Sequence, residues 1–152
     1  MKRATGILAF CFFVITLCAV ARAADVGVRV GYYFDADAAS IGTELLTPVG
    51  GTARWYFNPN VELAMGDFRD TASFNADFHY DLQPFSDLAV WAGAGPALYI
   101  IDRGPYRDDD VNLAANALVG LGANSGNVRP FAQFKGVLMS DPEAVLEFGL
   151  RF

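Results

Sequence analysis

Asp77, His79 and Asp81 are the residues whose types and spacing point most directly to chemistry. An imidazole beside carboxylates gains basicity, the arrangement that serves proton abstraction. In an extended strand the three share one face, with successive positions on that face ~6.6–6.8 Å apart. That separation is too long for an in-line relay, so a nucleophile would have to come from a neighbouring strand. The plainer alternative is a ladder of polar groups paired with other strands. We expect the ladder, with no catalytic, cofactor-binding or metal-binding residues.

A second cluster, Asp108-Asp109-Asp110 with Asp102 nearby, offers the hard oxygen donors that suit divalent cations. A calcium loop of the EF-hand type also needs alternating Asx ligands, a glycine and a later glutamate. That spacing is absent, and the run reads as a solvated acidic loop.

The elements that would carry these residues are strands, because apolar residues recur at every second position. Phe74, Ala76, Phe78, Tyr80 and Leu82 share one face, and Asn75, Asp77, His79 and Asp81 the other. Eight such strands are predicted. The first spans Asp25 to Phe34, with Arg29 and Tyr33 opposite Val26, Val28, Val30 and Tyr32. The second ends at Phe57, with Arg54 and Tyr56 on its polar face, before a turn at Asn58-Pro59-Asn60. The third runs from Val61 to Phe68. A turn over Gln83 to Asp87 leads into the fifth, Leu88 to Ile101, where Pro96 predicts a bulge or irregularity and Trp91 faces the polar side. After a polar loop from Asp102 to Asp110, the sixth spans Val111 to Ala123. The return at Asn124-Ser125-Gly126-Asn127 opens the seventh, Val128 to Met139, which turns Gln133 and Lys135 to the polar face. Ser140-Asp141-Pro142-Glu143 then leads to the last strand.

The charges follow this parity: Arg29, Arg54, Glu62, Asp77, Asp81, Lys135, Glu147 and Arg151 all oppose the apolar set of their own strand. A basic residue on the lipid face costs ~2–4 kcal/mol at mid-bilayer, which favours a transmembrane barrel with its charges inside. Eight strands enclose a lumen just wide enough for side chains to fill. Four bases against four acids predict a plugged, self-neutralising interior, since buried charges must be paired. The soluble alternative, a lipocalin-like barrel, would carry its apolar face inside and its charges outside.

Met1 to Ala23 reads as a secretory signal peptide: Lys2 and Arg3, an apolar run from Ile7 to Val20, then Ala21-Arg22-Ala23 before Ala24. The apolar run is short for a bilayer span of ~20 residues. Both cysteines, Cys11 and Cys18, fall inside this segment, so neither a disulfide nor a thiol ligand is expected in the mature chain. Leu17 before Cys18 argues against a lipoprotein cleavage site. Cleavage leaves about 128 residues, enough for one barrel domain over 24–152. Removing Lys2, Arg3 and Arg22 from eleven basic residues leaves eight against seventeen acidic ones, a net charge of −9. That sign argues against nucleic acid as a partner.

The last strand is the most specific signal. Leu146, Phe148, Leu150 and Phe152 form one apolar stripe, while Glu147, Gly149 and Arg151 point the other way. A final strand of this pattern with a terminal phenylalanine resembles the C-terminal assembly signal of Gram-negative outer-membrane barrels. With the alternation along the chain, the sequence is similar to small eight-stranded barrels of the OmpA membrane-domain and opacity-protein type. The resemblance implies an all-β, eight-stranded antiparallel up-and-down transmembrane barrel in the outer membrane, expected to be a monomer. Its implied partners are outer-membrane lipid, lipopolysaccharide and the barrel-assembly machinery, the last through Phe152. Lipopolysaccharide bridged by divalent ions would suit the acidic loop.

The same resemblance admits lipid A-modifying enzymes, but their His-x-Ser pattern is absent beside His79, and their chemistry lies near the outer leaflet. His79 is expected toward the periplasmic half of its strand. A narrow channel or small-ligand carrier is a further alternative. Barrel adhesins bind through long loops, whereas the outer connections here are about four to nine residues, and no appended domain is expected after the last strand. The expected role is structural or surface-interacting, without cofactor or catalysis.

Overall fold

The computed structural model describes residues 24–51, 54–67, 69–102 and 110–152. The leader expected over 1–23, with both cysteines, and the acidic loop at Asp108 and Asp109 lie outside these residues. The eight strands are β1 (Asp25–Tyr33), β2 (Ala38–Pro48), β3 (Trp55–Gly66), β4 (Asp70–Asp81), β5 (Leu88–Asp102), β6 (Asp110–Ala123), β7 (Arg129–Leu138) and β8 (Glu143–Arg151). Each pairs antiparallel with its sequence neighbours, and β1 pairs with β8 to close the barrel. Closure leaves no free sheet edge. We call the end holding Asp25 and Arg151 the near end, and the one holding Tyr33 and Glu143 the far end.

Alternation decides what faces where. On β4, Ser73, Asn75, Asp77, His79 and Asp81 are buried, while Phe74, Phe78 and Leu82 beyond its end are exposed. On β6, Leu113 is 84 % exposed beside inward Asn116 and Leu118. Lys135 and Glu147 are fully buried, and the large apolar side chains Val30, Ile41, Met65, Val119 and Phe148 stand outside. An aqueous lipocalin-like arrangement is therefore reversed here: ions fill the interior and hydrocarbon coats the wall.

The first part of the chain departs from expectation. Asn58-Pro59-Asn60 is not a turn but the middle of β3. Both asparagines face inward and hydrogen-bond in the lumen, which outweighs their local turn preference. Pro59 is tolerated because β2 and β3 stop pairing there: contacts run from Ala38↔Gly66 to Glu44↔Asn60, then resume at Thr47↔Phe57. The near-end turn lies instead between β2 and β3, where Gly50 and Gly51 take φ of +74° and +66°, a region that L side chains rarely adopt. The N–H of Val49 donates to the Trp55 carbonyl at 2.8 Å to close it. Two corrections follow. Arg54 is exposed near this turn, its guanidinium 5.9 Å from the Tyr80 ring, and is not a lumen charge. Glu44, which the shifted reading overlooked, takes a lumen position on β2.

Pro96 makes the expected irregularity, a gap in the ladder and not a bulge. The register stays constant from Asn75↔Ala97 to Phe78↔Ala94, with only the intervening pairs missing. At the far end the Asp35 N–H and the Arg69 guanidinium both donate to the Glu143 carboxylate, at 2.7 and 2.9 Å. One acid therefore ties the β1–β2 connection and the residue preceding β4 to the start of β8.

Candidate functional site

The lumen is built in three layers along the barrel axis. At the far end, Tyr33, Ala38, Ala64, Ala97, Tyr99, Val137 and Val145 pack into an apolar cluster. Each belongs to the inward set of its strand, so together they fill the lumen there with hydrocarbon and two phenol rings.

The middle layer is ionic. Arg29 on β1 donates to Glu44 on β2, to Glu62 on β3 at 3.3 Å, to Glu147 on β8 at 3.2 Å, and to the Asn58 side chain at 3.1 Å. Lys135 on β7 donates to both oxygens of Glu62 at 2.7 and 2.9 Å and pairs with Glu147 at 3.1 Å. Arg151 Nε reaches Glu44 at 2.5 Å. The Tyr33 hydroxyl donates to Glu62 at 2.6 Å, joining this layer to the apolar one.

The sequence predicted four bases against four acids; the structure pairs Arg29, Lys135 and Arg151 with Glu44, Glu62 and Glu147. Asp77 lies apart from these ion pairs. Its oxygens accept side-chain amide N–H bonds from Asn60 at 3.0 Å and Asn116 at 2.9 Å. Asn75 links the same chain by donating to Asn60, and Asn116 in turn donates to Asn75. Amides thus neutralise by hydrogen bonding what the sequence assigned to ion pairs.

The near-end layer is aromatic and contains the histidine. His79 stacks on Trp91 with ring centroids 5.9 Å apart and planes 8° from parallel. Trp91 donates its indole N–H to Gln133 at 3.0 Å and meets Phe131 edge-on. The Arg151 guanidinium lies 4.8 Å from the Trp91 ring and 4.2 Å from that of Phe131. Gly120 on β6 makes the room: a Cβ there would collide with the indole.

Of the sequence's candidate trio, Asp77, His79 and Asp81 all face the lumen as predicted but do not act together. Asp77 is held by asparagines, Asp81 accepts the Gln83 backbone N–H at 2.8 Å, and His79 is stacked. Among the described residues, His79 Nε2 has no hydrogen-bond partner and no group of His, Cys, Asp and Glu forms a metal-binding cluster. The sequence missed Glu44 because the turn was misplaced, and it missed the Trp91–Arg151–Phe131 stack because register across the barrel is invisible in alternation alone.

His79→Ala is expected to leave lipid A composition unchanged and to lower barrel stability by about 1 kcal/mol, through loss of the stack. Urea unfolding beside a lipid A profile checks it. A lipid A species that vanishes in a normally folded mutant would overturn this assignment.

No family model and no curated protein matches the sequence. Solved structures do. The N-terminal β-barrel domain of Pseudomonas aeruginosa OprF superposes with a TM-score of 0.64 at 18 % identity, covering 85 % of this chain and 96 % of that one. Neisserial surface protein A gives 0.65 at 15 % identity, covering 84 % and 92 %. The outer membrane enzyme PagL gives 0.58 at 15 % identity, covering 84 % and 98 %. Closed, antiparallel and eight-stranded, with its charges inside, the chain has the fold of the small outer-membrane β-barrels.

Proposed function

We propose that the protein is a structural barrel of the Gram-negative outer membrane, exported by the 1–23 leader, that contacts lipid and lipopolysaccharide through its wall and far rim and passes no solute stream. The observation that carries this reading is the inversion of its surfaces, an ionic interior inside an apolar wall. In water such a wall would aggregate; in hydrocarbon it is the stable surface, and a closed barrel satisfies every strand's backbone. The near end then faces the periplasm. Aromatic side chains at that rim, Trp55 against Tyr80 and Phe57 against Phe78, sit where barrel girdles form. Fractionation tests the reading: the protein should be recovered in the outer membrane as a band whose gel mobility shifts on heating, and recovery in the soluble periplasm would refute it.

Catalysis is not part of this proposal, although the similarity to PagL gives it a place to be tested. The imidazole that would serve as base is buried under an indole at the near end.

Two expected results follow. Planar-bilayer recordings of folded protein should show no large persistent conductance, because the apolar and ionic layers both cross the lumen; stable nanosiemens steps would contradict a filled interior. The outward stripe of β8, with Phe152 exposed at its end, is the surface we assign to the barrel-assembly machinery. Phe152→Ser should lower outer-membrane yield while export continues, and undiminished yield would remove that assignment.

A further inference from the structure

Phe85 is 91 % exposed, more than any other large apolar side chain among the described residues. It sits in the near-end connection between β4 and β5, and that connection is built to hold its shape. The Ser86 N–H donates to the Gln83 carbonyl at 3.1 Å, and Pro84, just ahead of Phe85 in this turn, has its φ fixed by its ring. The Gln83 N–H donates to Asp81 Oδ1 at 2.8 Å, and the Leu88 N–H to Ser86 Oγ at 3.2 Å. Asn124 of the neighbouring β6–β7 connection donates its backbone N–H to the Asp87 carbonyl at 2.8 Å and its side-chain N–H to the Ser86 carbonyl at 3.0 Å. Held in this way, the turn presents the Phe85 ring instead of folding it back.

An aromatic ring held away from the protein gains by finding an apolar cover, and its flanks indicate which one. Leu82 and Leu88 bracket the turn, both exposed and both on the outward faces that β4 and β5 turn to lipid. Phe85 therefore continues the lipid-facing surface past the ends of its strands. Gln83 and Asp87, in the same turn, are exposed and polar, which suits the head-group level and not the hydrocarbon interior. The neighbouring connections differ. Asn124-Ser125-Gly126-Asn127 carries no apolar side chain, and Gly50 and Gly51 occupy the described part of the β2–β3 turn.

We propose that the β4–β5 turn is a one-sided interfacial anchor: Phe85, between Leu82 and Leu88, inserts among the phospholipid head groups and upper acyl chains at the near end and pins the barrel to the bilayer on that side alone. The inference rests on the membrane-spanning reading and adds to it a contact made by a connection and not by the strand wall.

Trp55→Phe leaves the buried Trp91 as the sole tryptophan and supplies a background to subtract. Phe85→Trp and, separately, Ser125→Trp are added to it, each folded by heat-modifiable mobility. The second puts the same indole on an exposed polar tip and so controls for its own affinity for the interface. Each protein is inserted into phosphatidylcholine vesicles whose chains carry bromine near the glycerol or near the chain ends, and acrylamide is added from the water. Both leaflets of such vesicles are alike, so the direction of insertion does not matter. The indole at position 85 should be quenched by bromine near the glycerol at least roughly twofold more strongly than the one at position 125, and by acrylamide at least roughly twofold more weakly. Acrylamide quenching at position 85 without quenching by either brominated lipid would overturn the anchor and leave Phe85 to a soluble partner. Equal lipid quenching at positions 85 and 125 would overturn its one-sidedness. The difference between the parent and Trp55→Phe reads Trp55 on the wall in the same vesicles. Lipid quenching there but not at position 85 sinks the anchor alone, whereas its absence at both sinks the membrane-spanning reading with it.

Discussion

Arg29→Met should destabilise the barrel by about 3–5 kcal/mol, the usual cost of removing one partner from a buried charge network. Arg29 is the hub: among the described residues it alone contacts all three of Glu44, Glu62 and Glu147, on three different strands. Without it Glu44 keeps Arg151, but Glu62 and Glu147 are left to share Lys135. A methionine fills much of the volume, so the loss measures charge and not cavity. Equilibrium urea unfolding in detergent or lipid vesicles reads the effect. Adding Glu62→Gln to the variant should recover part of the loss, because it removes the surplus carboxylate, and the double-mutant cycle isolates that coupling. A single variant within about 1 kcal/mol of the parent would show that the network contributes far less than the burial of its charges requires.

Ala117→Arg should cost about 2–4 kcal/mol and reduce membrane insertion. Ala117 sits near the middle of β6 on the exposed wall, paired with Ala94 and Gly136. A guanidinium there must face hydrocarbon or snorkel a long way to either rim. Ala117→Leu, on the same spot, should be neutral or mildly stabilising. In a barrel that lived in water the order would reverse, with arginine tolerated and leucine promoting aggregation. Insertion yield and urea midpoints for the pair therefore test the solvent of the wall directly.

How legible these features were in sequence depended on the contrast between the two faces of each strand. On β4, β6 and β8 aromatic and aliphatic residues alternate with polar ones, and inward positions such as Asp77, Asn116 and Glu147 were read correctly. On β2 the contrast fades: Ala38, Ala39, Ser40, Gly42 and Thr43 are small on both faces. There the turn chemistry had to decide, and Asn58-Pro59-Asn60 outshone Gly50-Gly51. Misplacing that one turn put Arg54 in the lumen and hid Glu44, while the parity of Tyr56 and Phe57 survived because the shift carried them onto β3 in phase. The layering of the lumen was beyond reach. Which inward residues meet depends on stagger between strands far apart in sequence, so His79 from β4, Trp91 from β5, Phe131 from β7 and Arg151 from β8 converge without any local signature.

The far-end cluster around Tyr99 and Val145 makes the lumen a stack of unlike fillings and not a uniform plug. What binds the wall and what excludes water from it are then different layers of matter. Ion pairs at mid-height bind strand to strand across the lumen, whereas hydrocarbon and phenol rings packed above them add a second barrier that carries no charge. Damage to the first loosens the strands while hydrocarbon still fills the far end, and thinning the second leaves the ionic layer still spanning the lumen. The two barriers therefore back each other, each made by its own handful of side chains.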